Sequence, residues 1–348
     1  MSGTEFGCER AIETGSRLAG RPVRVATPAR PGRNNRVFCL HMADGSRLAL
    51  KYYPLQALDR RDRLGQEYEA LSFLAQHGVG STPRPFANDR EENCALYEWF
   101  DGEAAVLRPC PDDVDQLAEF LIALQNLRDA PGARGLRNAS AGIFSPAEAV
   151  AQCEQRLKRL LEHASGYSDL RGFVDRDLAP SAALARRRVE ERYTKLGLDP
   201  AASLAPACRA LSPSDFGLHN AMRGEDGRLR FIDFEYFGWD DPVKLVCDTA
   251  LHPGSNFPEH GARRLVERLS REFEIRDSAF AARQDALYPV FGLIWCLIIL
   301  NDYLPEICFR RVTIGRDDES GAILAGQLDK ARRLHQAICK RDPDLTPR

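Results

Sequence analysis

Apolar positions along this 348-residue chain change their period near residue 100. Before that point they come in short runs. RVFCLHM (36–42) and RLALKYY (47–53) favour β-structure, and ADGS between them carries the turn signal Asp44-Gly45. Together they predict a hairpin. DRLGQEYEALSFLAQHG (62–78) then shifts to three- and four-residue spacing at Leu64, Tyr68, Leu71 and Leu74, with Gly78 as a stop. NCALYEWF (93–100) reads as a strand again. The predicted order is strand, strand, helix, strand.

After Asp101-Gly102-Glu103 the period becomes helical. PDDVDQLAEFLIALQNL (111–127) puts Leu117, Phe120, Leu121, Leu124 and Leu127 on one face. SPAEAVAQCEQRLKRLLEHA (145–164) opens on a capping signature: Ser145, Pro146 at the first helical position, and Glu148 three residues after the serine. A further helix is predicted over Pro180–Leu196, and helices resume from about Gly261. The most apolar run, Leu287–Leu300, is read as a buried helix too short to span a bilayer. A lobe boundary is therefore placed at Asp101-Gly102. Residues 1–100 form one expected lobe, and residues 101–348 form a second, helical one.

Composition narrows the class. Apolar residues make up 44% of the chain, enough for a substantial core, and a length of 348 suits two lobes. The 48 basic and 50 acidic residues nearly cancel, which argues against a nucleic-acid partner. Ten cysteines include no Cys-x-x-Cys pair, and several lie in apolar runs, so they are read as free thiols of a reducing, cytoplasmic compartment. The seven histidines have no metal-ligand spacing. The acidic N-terminus, MSGTEFGCERAIETG, does not read as a signal peptide.

The chemistry concentrates in LSPSDFGLHNAMRGEDGRLRFIDFEYF (211–237). NAMR and RLRFID flank the turn sequence GEDG. Folded as a hairpin, they bring Asn220 and Asp233 to the same open end. Their oxygens could then share one hard cation, with Asp215 in the loop just before. A hairpin with capped turns fits the same residues. Phosphoryl transfer adds requirements elsewhere: a polar loop over the phosphates, a strand Lys and a helix carboxylate to hold it. Gly32, Asn34 and Asn35 form a small polar turn leading into a strand, and Lys51 ends the strand RLALK. Glu67 and Glu69 are the helix candidates, with Glu67 preferred for its spacing to Leu71. The connector from Glu98 to Phe100 offers backbone groups to an adenine edge. A Lys at a strand edge and a lone Gly turn each have bland readings, and it is the order of all the parts that points to a kinase.

In this order and in these motifs the chain resembles the aminoglycoside phosphotransferase and choline kinase superfamily, from about Val23 to Leu300. The similarity is firmest over SDFGLHNAMRGEDGRLRFIDFEYFGWDDP (214–242), whose IDFEYFGWDDP portion looks more like the choline kinase version. The resemblance implies an α+β, bilobal protein-kinase-like fold, with a small antiparallel-sheet N-lobe and a larger, mostly helical C-lobe. It implies an ATP- and Mg²⁺-dependent kinase that phosphorylates a hydroxyl of a small molecule: an amino alcohol, a sugar or an aminoglycoside-like acceptor. Asp215 then matches the catalytic base, Asn220 and Asp233 the Mg²⁺ ligands, Lys51 the phosphate lysine and Glu67 its helix partner. Gly32, Asn34 and Asn35 fall on the phosphate loop. Glu235, Trp239, Asp241 and Trp295 are candidates for the acceptor wall, because aromatic rings and carboxylates suit a cationic acceptor. Three positions depart from the family pattern: Pro213 and Gly217 stand where histidines are usual, and Lys244 stands for an Asp. The first departure supports the alternative of a catalytically silent nucleotide-binding scaffold.

Overall fold

The computed structural model describes residues 6–29, 35–54, 61–254, 257–305 and 320–345. The expected phosphate-loop residues Gly32 and Asn34 lie outside them. The chain divides into two compact units. One is built from Met1–Gly142 and Ala210–Trp239, with Gly254–Asn256; the other from Ile143–Arg209, Asp240–Pro253 and Phe257–Arg348. This grouping by compactness differs from the 1–100 and 101–348 division, which stays a proposal about which segment serves nucleotide and which serves acceptor.

The first unit holds an antiparallel sheet in the order β1-β2-β3-β5-β4. Its strands are β1 (Val23–Pro28), β2 (Arg36–Met42), β3 (Arg47–Tyr52), β4 (Pro85–Asp89) and β5 (Cys94–Glu98). The expected β2–β3 hairpin forms, with Phe38 opposite Leu50 and Leu40 opposite Leu48. Inward positions Phe38, Leu40, Leu48, Leu50 and Leu96 build the core with Val23 and Met42. A helix not anticipated from periodicity, α1 (Cys8–Ala19), packs on β1, and its Ser16 hydroxyl accepts from the Val23 N–H at 3.0 Å. The edge strands β1 and β4 also escaped sequence reading, because exposed positions interrupt both and neither has a continuous apolar face.

The helix expected over 62–78 forms as α2 (Arg63–Gln76). Asp62 caps it by accepting from the Gly65 N–H at 2.9 Å. In α3 (Asp113–Gln125), Leu117, Leu121 and Leu124 are essentially fully buried. A short sheet in the order β6-β8-β9 completes this unit, with β6 at Glu103–Ala104, β8 at Ala221–Arg223 and β9 at Leu229–Phe231; the short strand β7 (Ala210–Ser212) precedes β8 in the chain. The hairpin expected in the 211–237 stretch is therefore present, with Ala221 opposite Phe231. Gly227, at φ 75°, turns the chain in a conformation that favours glycine.

The second unit is helical. In α4 (Pro146–His163) the capping box is complete: Ser145 Oγ accepts from the Glu148 N–H at 3.2 Å, and Glu148 Oε2 accepts from the Ser145 N–H at 3.2 Å. The helix expected from Pro180 begins at Ala179 and runs to Leu196, after α5 (Ser168–Phe173) and a π-turn at Val174–Leu178; we call it α6. Next come α7 (Pro242–Leu251), α8 (Glu259–Glu274), α9 (Phe280–Ile299) and α10 (Ser320–Arg341). The apolar run thought too short for a bilayer belongs to this longer element. With its terminal 3₁₀ turn it spans Phe280–Tyr303, 24 residues, long enough to cross a membrane. The most apolar window of this element is 83% buried inside the protein, and α4, α6, α7 and α10 all pack on α9, as around the central helix of a core.

Candidate active site

Lys51 stands on β3 with Val37 and Ala95 as its strand neighbours. Its ammonium is buried and held by two carboxylates from distant parts of the chain: Glu67 Oε2 on α2 and Asp233 Oδ1 just after β9, each at 2.6 Å. Burial acts to lower the lysine pKa, but Asp233 and Glu67 more than reverse this, so the group is held cationic well above its ordinary range. The preferred helix partner, Glu67, is thus the one brought to Lys51. Glu69 lies at the surface and pairs with Arg137 at 2.7 Å.

Glu67 is a hub. Its Oε2 also accepts from the Tyr53 hydroxyl at 2.8 Å, and its Oε1 accepts from the Phe234 N–H at 3.2 Å. Tyr53 in turn meets the Tyr97 hydroxyl at 2.9 Å. All of these side chains are buried. Burial, then Glu67, pushes the Tyr53 phenol far above its usual pKa, so it stays a donor. One residue earlier on α2, the Gln66 amide donates to the carbonyls of Asn138 and Phe237. The first turn of α2 is therefore tied to both ends of the 233–237 segment. Tyr53 was missed in the sequence although a signal existed: it lies two residues after Lys51, the spacing that puts strand side chains on one face.

The hairpin brings the other candidates together. The Ile232 N–H donates to the Asn220 carbonyl at 2.9 Å, so Asn220 and Asp233 flank one open hairpin end. Asp233 adopts φ 70°, a left-handed conformation uncommon for a residue with a side chain. Glu235 is buried close by. Glu67, Asp233 and Glu235 each place one oxygen within 4.8 Å of the others. Arg63 reaches Glu235 only at 3.9 Å, and Glu235 Oε2 has no hydrogen-bond partner among the described residues. Burial first, and Asp233 second, raise the Glu235 carboxyl to a pKa of about 7.

The loop carrying Asp215 is braced without a histidine at position 213. The Leu211 main chain is paired on both sides by the Gln125 amide of α3, at 3.1 and 2.9 Å, as a strand neighbour would pair it. Ser212 Oγ accepts from the Ser214 N–H at 3.0 Å, and the Asp215 N–H donates to the Pro213 carbonyl at 3.0 Å. Phe216 is buried against Phe120 and Phe231, with ring centroids 5.4 and 5.0 Å away. The Asn220 amide donates to the Asp215 carbonyl at 3.0 Å, which turns its Oδ1 away from that contact. His219, four residues after Asp215, donates from Nε2 to Asp215 Oδ1 at 2.9 Å.

The remaining candidates are placed as follows. Asn35 is buried at the start of β2. The Glu98 N–H is taken by the Arg84 carbonyl at 2.9 Å, and Phe100 lies under the Arg230 guanidinium at 5.8 Å. The Trp239 indole N–H donates to the Ala133 carbonyl at 3.1 Å. In the second unit, Asp241 caps α7 through the Val243 N–H at 2.8 Å and pairs with Arg283. There the Trp295 indole donates to Asp248 at 2.9 Å. Lys244, the third departure, is buried between Asp240 at 3.0 Å and Asp248 at 2.7 Å.

Comparison with solved structures places this architecture. Over 96% of the chain, it superposes on all of a spectinomycin phosphotransferase solved with ADP and spectinomycin, at a TM-score of 0.62 and 12% identity. A choline/ethanolamine kinase family protein from Mesorhizobium loti gives 0.57 at 16% identity, covering 96% of this chain and 98% of that one. A choline kinase from Streptococcus pneumoniae gives 0.55 at 16% identity, covering 94% and 99%. These likenesses establish a protein-kinase-like fold. No protein of curated function matches the sequence. The phosphotransferase enzyme family model matches residues 25–284, three-quarters of the chain, and the protein therefore belongs to that family.

Proposed function

We propose that this phosphotransferase is an ATP- and Mg²⁺-dependent kinase that phosphorylates a hydroxyl group of a small molecule. The observation that carries the reading is the buried Lys51 bridging Glu67 and Asp233, with a third carboxylate, Glu235, alongside. Three acidic groups converge on one ammonium, and the Arg63 guanidinium reaches Glu235 only at 3.9 Å. Hard oxygen donors gathered in this way suit Mg²⁺. The Glu235 oxygen that lacks a hydrogen bond supports the same fit. The solved relative bound to ADP is consistent with a nucleotide.

Mg²⁺-ATP, when bound, supplies the phosphoryl group and neutralises charge on the phosphate oxygens. The chain's own residues do the rest. Asp233 and Asn220 would hold the metal. Lys51, kept cationic by its neighbours, binds phosphate oxygens, and Glu67 fixes its direction. Asp215, with its side chain 40% exposed, orients the acceptor hydroxyl and takes up its proton as the new O–P bond forms and the bond from the γ-phosphorus to the β–γ bridging oxygen breaks, with ADP leaving. Asn35, with Gly32 and Asn34, is assigned to phosphate binding, and Glu98 to Phe100 to the adenine edge.

The acceptor is a small alcohol: an amino alcohol, a sugar or an aminoglycoside-like molecule. Glu235, Trp239, Asp241 and Trp295 are its proposed wall. The indole N–H groups of both tryptophans and both Asp241 oxygens already have protein partners. The tryptophans therefore contribute ring faces and not hydrogen bonds. A reducing, cytoplasmic location accords with the free thiols of the described cysteines.

The test is ADP release across a panel of amino alcohols, sugars and aminoglycosides, with Asp215→Asn and Asp233→Ala beside the wild type. Each variant is expected to lose at least about a hundredfold in transfer. Wild-type transfer by both would defeat the assignment, and binding of Mg²⁺-ATP without turnover on any acceptor would favour the silent scaffold.

A further inference from the structure

We propose that His219 is a positioning residue that fixes the carboxylate plane of Asp215; the inference rests on the reading of Asp215 as the catalytic base. Asp215 follows a short strand, and its side chain is 40% exposed, so burial alone does not choose its rotamer. A base that must meet a hydroxyl at one angle loses rate when its carboxylate swings. His219 Nε2 lies 2.9 Å from Asp215 Oδ1, and because an ionised carboxylate only accepts, that nitrogen carries the proton.

The donor is itself fixed. His219 sits in a single 3₁₀ turn, Leu218–Asn220, whose Leu218 is fully buried and whose Asn220 N–H bonds to the Gly217 carbonyl at 3.1 Å. The Asn220 side chain then bonds the Asp215 carbonyl at 3.0 Å. Two bonds thus close the same six-residue segment, 215–220, one through the main chain of Asp215 and one through its carboxylate. The imidazole is only 21% exposed at its side chain, so the contact is sheltered from competing water. Pro213, on the other side of Asp215, has no side-chain donor that could do this work. His219 therefore holds the loop's reactive atom, whereas Gln125, Ser212 and Phe216 hold only its path.

The experiment is a double-mutant cycle read by steady-state kinetics on the best acceptor, with His219→Ala, His219→Gln, Asp215→Asn and the His219→Ala/Asp215→Asn pair. The expected result for His219→Ala is a kcat lowered about tenfold with acceptor KM within about twofold. Mg²⁺-ATP affinity, followed by thermal shift, is expected to stay at the wild-type value. His219→Gln, which keeps an N–H donor at similar reach, is expected to recover most of the rate. In the Asp215→Asn background, His219→Ala is expected to cost nothing further. A wild-type kcat for His219→Ala overturns the inference while leaving the base reading intact. So does an equal fold-loss in both backgrounds, which marks a structural role. Wild-type transfer by Asp215→Asn overturns both. If His219→Ala fails to fold, His219→Asn, too short to reach Oδ1, replaces it against His219→Gln.

Discussion

Two buried lysines in this chain are each clamped by two carboxylates, and they differ in what the clamp is made of. Lys244 is gripped by Asp240 and Asp248, one helical turn away on either side. Asp240 also accepts from the N–H groups of Ile143 and Asp241, and Asp248 from Trp295, so the group is saturated. Lys51 is gripped across 16 residues by Glu67 and across 182 by Asp233, with Glu235 left short of partners. The first arrangement is closed and local, as expected of a fixed helix start. The second draws three elements to one point, keeps Asp233 30% exposed and leaves one Glu235 oxygen without a hydrogen bond. Pairing chemistry alone does not separate structure from site; the exposure of Asp233, the open Glu235 oxygen and the reach in sequence do.

The comparison is broken most sharply by removing each lysine. Lys244→Met is expected to destabilise the fold by about 3–5 kcal/mol, since a buried pair losing one partner leaves uncompensated charge. Its kcat per folded molecule should stay near wild type, which urea unfolding and active-site titration together would check. Lys51→Met is expected to lower transfer about 10²- to 10³-fold, the usual scale for losing one preorganised charge donor. An intact kcat in Lys51→Met, or a lost one in folded Lys244→Met, would reverse the assignment of the two clamps.

A smaller effect follows from Glu235. Its folded pKa of about 7 lies above the ordinary 4.5, so the native state holds this proton more tightly than the unfolded chain. Native protons in excess mean that stability falls as pH rises, here between roughly 4.5 and 7. A full shift of this size corresponds to about 3 kcal/mol. Unfolding midpoints at pH 5 and pH 8 in chelator are expected to differ by less in Glu235→Gln than in wild type. The smallest effect expected is for Tyr53→Phe. Glu67 loses one donor but keeps Lys51 and the Phe234 N–H, so about 1–2 kcal/mol of stability is at stake, measurable by thermal melt.

Local signals in the sequence were legible where their partners are close along the chain. The capping box of α4, the β2–β3 hairpin, the turn at Asp226-Gly227 and the face of α2 all satisfy themselves within a few residues. The candidate cluster was legible in part, because the order of its parts restricts the fold. Strands β1 and β4 were not legible, since an edge strand half open to water has no strong period. The hub role of Glu67 was invisible for another reason: Tyr53, Tyr97 and Phe234 converge on it only after the sheet and α2 have packed. His219 was not legible either, because it coincides with neither of the positions, 213 and 217, where histidines are usual, and only the 3₁₀ turn brings its ring back to Asp215.

The left-handed backbone at Asp233 and Ser214, φ 70° and 69°, has a consequence for how this protein can change over time. Glycine would relax either position at little steric cost. At 214 the exchange gives up a small hydroxyl; at 233 it gives up the carboxylate that meets Lys51. Selection for heat resistance and selection for phosphate transfer thus pull residue 233 in opposite directions. Lineages kept under the second pressure alone would retain the strained aspartate, and a lineage that had abandoned the reaction would be free to drift there first.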